Sequence, residues 1–368
     1  MAITLTSLDP LKTFGFDDII DVRSPAEFAE DHLPGAINLP VLSDAERAEV
    51  GTIYKQDSPF RARKIGAALV AANAARHLQG PLADKPGNWR PLVYCWRGGQ
   101  RSGSFASILS QIGWRVDLIS GGYKAWRGLV VDSLYTQPFP GPVVVLDGNT
   151  GSAKTALLGH LADAGLQVLD LEGLAHHRGS LFGAMPGGQP SQKMFERNLA
   201  MAMAALDPAR AVVVEAESSK VGNCRLPPGL WKAMAAAPRV VIEASLQARA
   251  EYLVTAYADL ATDQAKLHHI IGLLAPQHAA EVIEGWHRMA TEGAFNALAA
   301  DLMARHYDPR YEKHRQRLAE DRDGADAPFE FPTDSLSDDA LRRLSDQMTG
   351  TIEQLYPGAA SSTVSRPA

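Results

Sequence analysis

Twice along this chain a short apolar run passes straight into a glycine-rich loop and then into a helical pattern. Residues 92–94 lead into C-W-R-G-G-Q-R-S (95–102), and the run V-V-V-L-D leads into G-N-T-G-S-A-K-T (148–155). A strand that ends in a tight loop at a helix N-terminus makes a nest of inward-pointing backbone N–H groups, with the positive end of the helix dipole behind it. Such a unit needs a helix-covered sheet, and ligands collect at the carboxyl ends of its strands. The fold is therefore constrained to α/β at two separate places.

The rest of the chain follows that pattern. Apolar runs at 19–22, 36–39, 92–94 and 116–119 predict strands, and the alternation with helical patterns implies a mainly parallel sheet. Between the first two, S-P-A-E supplies a cap at Ser24, a first-turn proline at Pro25 and a capping-box partner at Glu27, for a helix ending near His32. Residues 60–78 predict a longer helix. T-Q-P-F-P-G-P (136–142), with three prolines, reads as a stiff linker. Beyond it, strands are predicted at 143–146, 167–171, 211–215 and 240–243, and the pattern turns mostly helical from Leu246. A length of 368 residues exceeds one ordinary core. The expected division is an α/β domain at 1–135, a linker at 136–142, a second α/β domain with a helical C-terminal part at 143–356 and a disordered tail at 357–368.

No apolar run approaches the roughly 20 residues of a membrane-spanning helix, and the first residues lack a basic stretch followed by an apolar one. A cytoplasmic protein with no membrane partner is expected. Cys95 and Cys224 are far apart and form no C-x-x-C pair, so neither a disulfide framework nor a cysteine zinc site is indicated. His268, His269, His278 and His287 show no ligand spacing. A net charge of −6 gives no global attraction to nucleic acid, so RNA binding would need local basic patches such as R-Y-E-K-H-R-Q-R (310–317). No prosthetic group and no protein partner is indicated.

Cys95 falls at the end of its strand, where Gly98 and Gly99 permit a sharp turn and Arg97 and Arg101 add positive potential. The same features favour a nucleophilic thiolate and, with Gln100, an oxyanion seat. A buried strand-end cysteine would look alike in isolation, but clustered glycines and arginines have no core-packing explanation. Cys224 lacks such a setting and reads as packing.

The second loop is a Walker A pattern in its strand-to-helix setting. Gly148, Asn149, Thr150, Gly151 and Ser152 would wrap a diphosphate, Lys154 would neutralise it, and Thr155 would be a magnesium ligand. Ala153 replaces the glycine expected before the lysine and requires a negative φ there. Glu215 is placed to be a second acidic group. Glu172, His177 and Arg178 follow the strand at 167–171, and Glu217, Ser218 and Lys220 follow the one at 211–215, at the same sheet edge. A-M-P-G-G-Q-P-S-Q-K (184–193) reads as a mobile lid.

D-V-R-S-P-A-E-F, H-L-P-G-A-I-N-L-P, the Cys95 loop and G-G-Y-K-A-W together resemble a rhodanese domain over residues 5–131, with Asp21 and Arg23 at positions that are chiefly structural in that family. The C-x5-R spacing also resembles the rhodanese-fold phosphatases. With the phosphate loop, D-L-E-G-L-A-H-H-R-G-S and E-A-E-S-S-K-V-G, the chain to about Pro357 is similar to the bacterial tRNA 2-selenouridine synthases, departing at Ala153 and at His176, where asparagine is expected. That resemblance implies S-geranylation of a wobble 2-thiouridine in the tRNA anticodon region from geranyl diphosphate, then exchange of sulfur for selenium from selenophosphate. Cys95 would serve the selenium step, either by carrying selenium or by fixing selenophosphate. Three alternatives remain open: a rhodanese-type sulfurtransferase coupled to an NTP-binding domain, a phosphatase, for which no acidic residue is evident beside the loop, and a non-catalytic tRNA-binding module.

Overall fold

Each glycine loop grows from the central strand of a five-stranded parallel sheet. The computed structural model describes residues 2–8, 15–320 and 327–359, without the side chains of 314 and 317–320. The chain divides into two compact units, Met1–Pro138 with Pro190–Ala204, and Phe139–Gln189 with Ala205 onward.

In the first unit the strands are β1 (Ala2–Ile3), β2 (Asp18–Asp21), β3 (Ala36–Asn38), β4 (Pro91–Tyr94) and β5 (Asp117–Ile119), in the order β1-β5-β4-β2-β3. All four residues of β4 are buried, as expected of a parallel strand covered on both faces. The helices are α1 (Pro25–Glu30), α2 (Asp44–Gln56), α3 (Pro59–Gln79), α4 (Gln100–Ile112) and α5 (Gly122–Val131). The expected capping box at Ser24 and Glu27 is present. Helix α2 was not predicted: it buries no residue and so carries no apolar stripe, although Ser43 and Glu46 form a capping box at its start.

The second unit begins β6 (Val143–Gly148), α6 (Lys154–Asp163), β7 (Gln167–Leu169) and α7 (Leu171–Ala175). The chain then supplies α8 (Gln192–Ala204) to the first unit, a return that the sequence reading assigned to the second domain. Long-range polar contacts hold it there: Arg127 pairs with Glu196, and Arg197 donates to His32 O at 2.8 Å. The second unit resumes with β8 (Val212–Glu215), the hairpin β9 (Lys220–Val221) and β10 (Cys224–Arg225), α9 (Pro228–Ala236) and β11 (Arg239–Ala244). Helices α10 (Leu246–Ala256), α11 (Ala258–Thr262), α12 (Gln264–Gly272), α13 (Ala280–Thr291), α14 (Phe295–Leu302) and α15 (Asp308–Glu320) form the helical part.

A late strand, β12 (Phe329–Thr333), then completes the sheet order β12-β11-β6-β8-β7, and α16 (Asp338–Leu355) closes the unit. Pro332 hides β12 from sequence reading, yet it is tolerated because β12 is an edge strand. Leu341, Leu344 and Met348 of α16 share a core with Leu157 and Leu161 of α6 and Val144 of β6, which fixes the helix behind the phosphate loop. The expected tail starts too early: Ala359 is buried, and its carbonyl accepts from Arg210 at 2.7 Å. Residues 360–368 of that tail lie outside the described residues.

Candidate functional sites: a thiol loop and a phosphate loop

In the first unit, Cys95 is 3% exposed and its Sγ accepts from Ser102 Oγ at 3.2 Å. Burial pushes the thiol up, but the Ser102 side-chain and backbone hydrogen bonds, the Arg101 charge and the Arg97 N–H outweigh it and leave the thiol below its ordinary value. Ser102 ends the C-W-R-G-G-Q-R-S run, and nothing in the sequence alone marks it as the thiol's partner.

The loop is held from below by the start of α5: Tyr123 N donates to Cys95 O at 2.8 Å and Lys124 N to Trp96 O at 2.9 Å. Gly98 has φ +66°, and a Cβ there would meet Ile119 O at 2.6 Å; one at Gly122 would meet Cys95 O at 2.2 Å. Gly98 is therefore required for the turn as expected. Gly99, with φ −100° and open space, is not required on these grounds, and Gly122 is the second glycine the loop depends on.

Arg97 and Gln100 are exposed on the loop, whereas Arg101 is ion-paired with Glu27 at 2.7 Å. This corrects the expectation that no acidic residue stands beside the loop. Burial works against the Glu27 charge, but Arg101 holds the carboxyl below its ordinary value, so it stays ionised and is a poor proton donor. Beneath the loop, Arg23 is buried, paired with Asp21 at 2.6 Å and stacked 3.9 Å from the Tyr123 ring, which is the structural role implied for both residues.

In the second unit, Lys154 Nζ donates to Gly148 O at 2.9 Å, and the start of α6 faces a cleft of about 320 Å3 lined by Thr150, Gly151, Ser152, Thr155, Glu172, His177 and Arg178. A Cβ on Gly148 would meet Ser152 Oγ at 2.5 Å, and one on Gly151, whose φ is +83°, would meet Leu253 at 2.9 Å. Ala153 has φ +58°, against the expected negative value. Its methyl is 4% exposed within the core against α6, and about 0.8 kcal/mol of methyl burial offsets part of the left-handed strain. His176, the other departure, has φ +49°. Asparagine tolerates that region more readily; the His176 Nδ1 contact to Gly188 O at 2.8 Å is the local compensation.

Thr155 Oγ1 donates to Glu172 Oε2 at 2.8 Å and reaches Glu215 Oε2 at 3.4 Å, while Glu172 N donates to Glu215 Oε1 at 2.6 Å. Glu217 is close as well, since a Cβ on Gly179 would meet both Glu172 Oε1 and Glu217 Oε1. Burial and then the Glu172 charge push Glu215 well up and Glu217 to about 8. Burial also opposes the Lys154 charge, but Tyr311, Glu172, Glu217 and Asp147 outweigh it and hold the ammonium above its ordinary value. Among the described residues, no group of three or more His, Cys, Asp or Glu side chains has the geometry of a metal site. Thr155, Glu172 and Glu215 nonetheless give an all-oxygen set that suits magnesium, an ion that keeps waters and takes ligands from phosphate.

His177 Nδ1 is buried without a hydrogen-bond partner, and burial pushes the ring down, toward the neutral form. Arg178 is anchored instead, donating to Asp259 at 2.9 Å. The basic stretch at 310–317 is partly absorbed by this site: Tyr311 lies 5.8 Å from Lys154 Nζ and Arg315 donates to Asn149. The side chains of His314 and Arg317 lie outside the described residues. The expected lid is pinned, with Gln189 Nε2 donating to Ala175 O at 3.1 Å and to Val221 O at 3.0 Å. Ser218 and Lys220 make a local turn, Ser218 Oγ donating to Lys220 O. Cys224 is buried and its thiol is pushed up by burial, consistent with packing.

Thr150, Ser180, Leu253 and Tyr257 also line a second, apolar pocket that adjoins the cleft and is walled by Phe182, Leu267, Phe295, Leu298 and Leu302. No helix among the described residues is long and apolar enough to cross a membrane.

Residues 7–129 match the rhodanese-like domain, and residues 141–272 match the tRNA 2-selenouridine synthase AAA domain. A tRNA 2-selenouridine synthase of Hahella chejuensis is 34% identical over 82% of this chain and 86% of its own length. One of Bordetella bronchiseptica is 37% identical over 82% and 89%. One of Alcanivorax borkumensis is 39% identical over 65% of this chain and 66% of its own length, and one of Aeromonas salmonicida is 42% identical over 64% of each. The chain thus spans just under two thirds of the latter two relatives.

Proposed function

Because the chain belongs to the tRNA 2-selenouridine synthase family, we propose that it replaces the sulfur of a wobble 2-thiouridine in tRNA by selenium, using the phosphate loop and the thiol loop for successive steps. A thiocarbonyl sulfur leaves poorly, so it is first alkylated. The sulfur attacks C1 of geranyl diphosphate, the C–O bond breaks, diphosphate departs and the N3 proton is lost. Selenium from selenophosphate then displaces the geranyl thiol at C2, and water takes up the phosphoryl group.

Lys154, the backbone N–H groups of the loop and the His177 ring, whose Nδ1 has no hydrogen-bond partner, would meet the diphosphate. Magnesium, held by Thr155, Glu172 and Glu215, would add charge to stabilise the leaving group. Arg97, the loop amides from Gly98 to Arg101 and Cys95 would serve selenophosphate, with Arg101 acting from its Glu27 pair.

The observation that carries the first step is the apolar pocket sharing Thr150, Ser180, Leu253 and Tyr257 with the phosphate cleft. The apolar walls match a prenyl chain in polarity, whereas a nucleotide's ribose and base would find few hydrogen-bond partners there. Thermal stabilisation of the protein by geranyl diphosphate, but not by ATP at equal concentration, tests this choice. Stabilisation by ATP alone would favour the NTP-coupled sulfurtransferase. The phosphatase reading loses support from Glu27, whose proton is not available at neutral pH.

A further inference from the structure

A cleft of about 700 Å3 in the first unit has the thiol loop as one wall, through Arg97, Gln100 and Arg101, and helices α2 and α3 as the others. Its lining holds five cations, Arg47, Lys55, Arg63, Arg97 and Arg101, and no carboxylate. Glu27 neutralises Arg101 and reaches Arg47 at 3.8 Å, but Lys55, Arg63 and Arg97 have no ion-pair partner among the described residues. In a chain of net charge −6, three unpaired cations around one cleft are a local feature and not a background. Between the two helices the floor is small, at Ala62 and Gly66, while Tyr54 in the lining is 55% exposed. The volume lies in the range that holds nucleotide-sized ligands.

Cations spaced around an exposed aromatic are what unpaired RNA requires, with phosphates meeting the charges and a base stacking on the ring. A protein partner would call for exposed apolar anchors, and of the large apolar side chains lining the cleft Leu42 and Val70 are buried and Val50 is half-buried, which leaves Tyr54 as the exposed one. We infer that the α2–α3 cleft receives unpaired nucleotides of the tRNA anticodon loop. Tyr54 stacks on a base, Lys55 and Arg63 meet the flanking phosphates, and the wobble base is thereby delivered to the wall formed by the thiol loop. This inference rests on the functional reading above, which leaves the RNA-binding surface unassigned.

The test is the affinity of the full-length protein for a synthetic anticodon stem-loop carrying 2-thiouridine, measured across a salt series. All three altered side chains in the cleft are exposed, so folding should survive. Lys55→Glu with Arg63→Glu is expected to weaken binding more than tenfold and to flatten the plot of log K against log salt by about 1.4, roughly 0.7 for each phosphate contact in single strands. Tyr54→Ala is expected to weaken it about tenfold with the salt slope kept. Lys64→Glu makes the same kind of charge change on α3 outside the cleft and should have little effect. Wild-type affinity in the cleft variants, or equal weakening by Lys64→Glu, overturns the assignment. Failure of the wild-type protein to bind the stem-loop or to modify tRNA would instead sink the functional reading on which it rests.

Discussion

Thr155 Oγ1 donates to Glu172 Oε2 across 2.8 Å, tying the hydroxyl that ends the phosphate loop to the second carboxylate after β7. Glu215 and Glu217 crowd the same place, and their mutual repulsion, together with burial, is what a bound cation would relieve.

Glu217 therefore gives stability a pH dependence. Its folded pKa of about 8 exceeds the ordinary glutamate value of 4.5, so between those values the folded state holds the proton more tightly than the unfolded chain. Its contribution is fully present below about 4.5 and is lost as pH rises through about 8. The melting temperature of the wild type should fall from pH 6 to pH 9 more steeply than that of Glu217→Gln. Parallel curves would show that Glu217 is ionised throughout.

Ala153 at φ +58° sets two small effects against each other. Glycine would remove left-handed strain of about 1–2 kcal/mol but give up about 0.8 kcal/mol of methyl burial. Ala153→Gly is expected to raise the melting temperature slightly, by at most about 4 °C. Ala153→Val, β-branched in the same backbone region, should lower it. Calorimetry decides, and destabilisation by glycine would mean that packing of the methyl outweighs the strain.

Ser102 Oγ, 3.2 Å from Cys95 Sγ, favours the thiolate. Ser102→Ala should move the midpoint of the pH–rate profile for Cys95 alkylation by iodoacetamide to higher pH. Cys95→Ala supplies the background from Cys224, whose thiol burial already pushes up. An unmoved midpoint would leave the arginine and the loop N–H groups as the thiol's whole support.

Ala299 lines the apolar pocket on α14. Ala299→Phe should fill the space and weaken geranyl diphosphate by one to two orders of magnitude, about 0.8 kcal/mol for each methylene displaced. Inorganic diphosphate should bind as before. Calorimetric titration of both ligands checks it; equal losses would place the prenyl chain elsewhere.

The parts of these sites that were legible in sequence are those whose chemistry is local. The thiol loop and the phosphate loop each lie within one strand–turn–helix stretch, and the strands feeding them are uninterrupted apolar runs. What escaped depends on long-range contacts. Gly122 matters because it lies under Cys95 O, and Glu27 because the fold carries it to Arg101; each was visible only as a motif glycine or a helix cap. Helix α8 joins the first unit through Arg127 and His32, far away in sequence, and β12 was concealed by Pro332. Tyr311 and Arg315 read as a solvated basic face until α15 brought them to Lys154 and Asn149. Both departures from the family pattern, Ala153 and His176, fall at the two non-glycine positive-φ positions among the described residues, a coincidence that only the backbone shows.

In the function proposed above, the two loops act in sequence on one tRNA nucleoside. Mass spectrometry of tRNA from a strain lacking this enzyme and supplied with the wild type, Cys95→Ala or Lys154→Ala tests it most directly. The wild type should restore 2-selenouridine, Cys95→Ala should leave S-geranyl-2-thiouridine to accumulate without selenium, and Lys154→Ala should leave 2-thiouridine unchanged. Normal selenouridine from the Cys95→Ala protein, or geranylated tRNA from the Lys154→Ala protein, would contradict it.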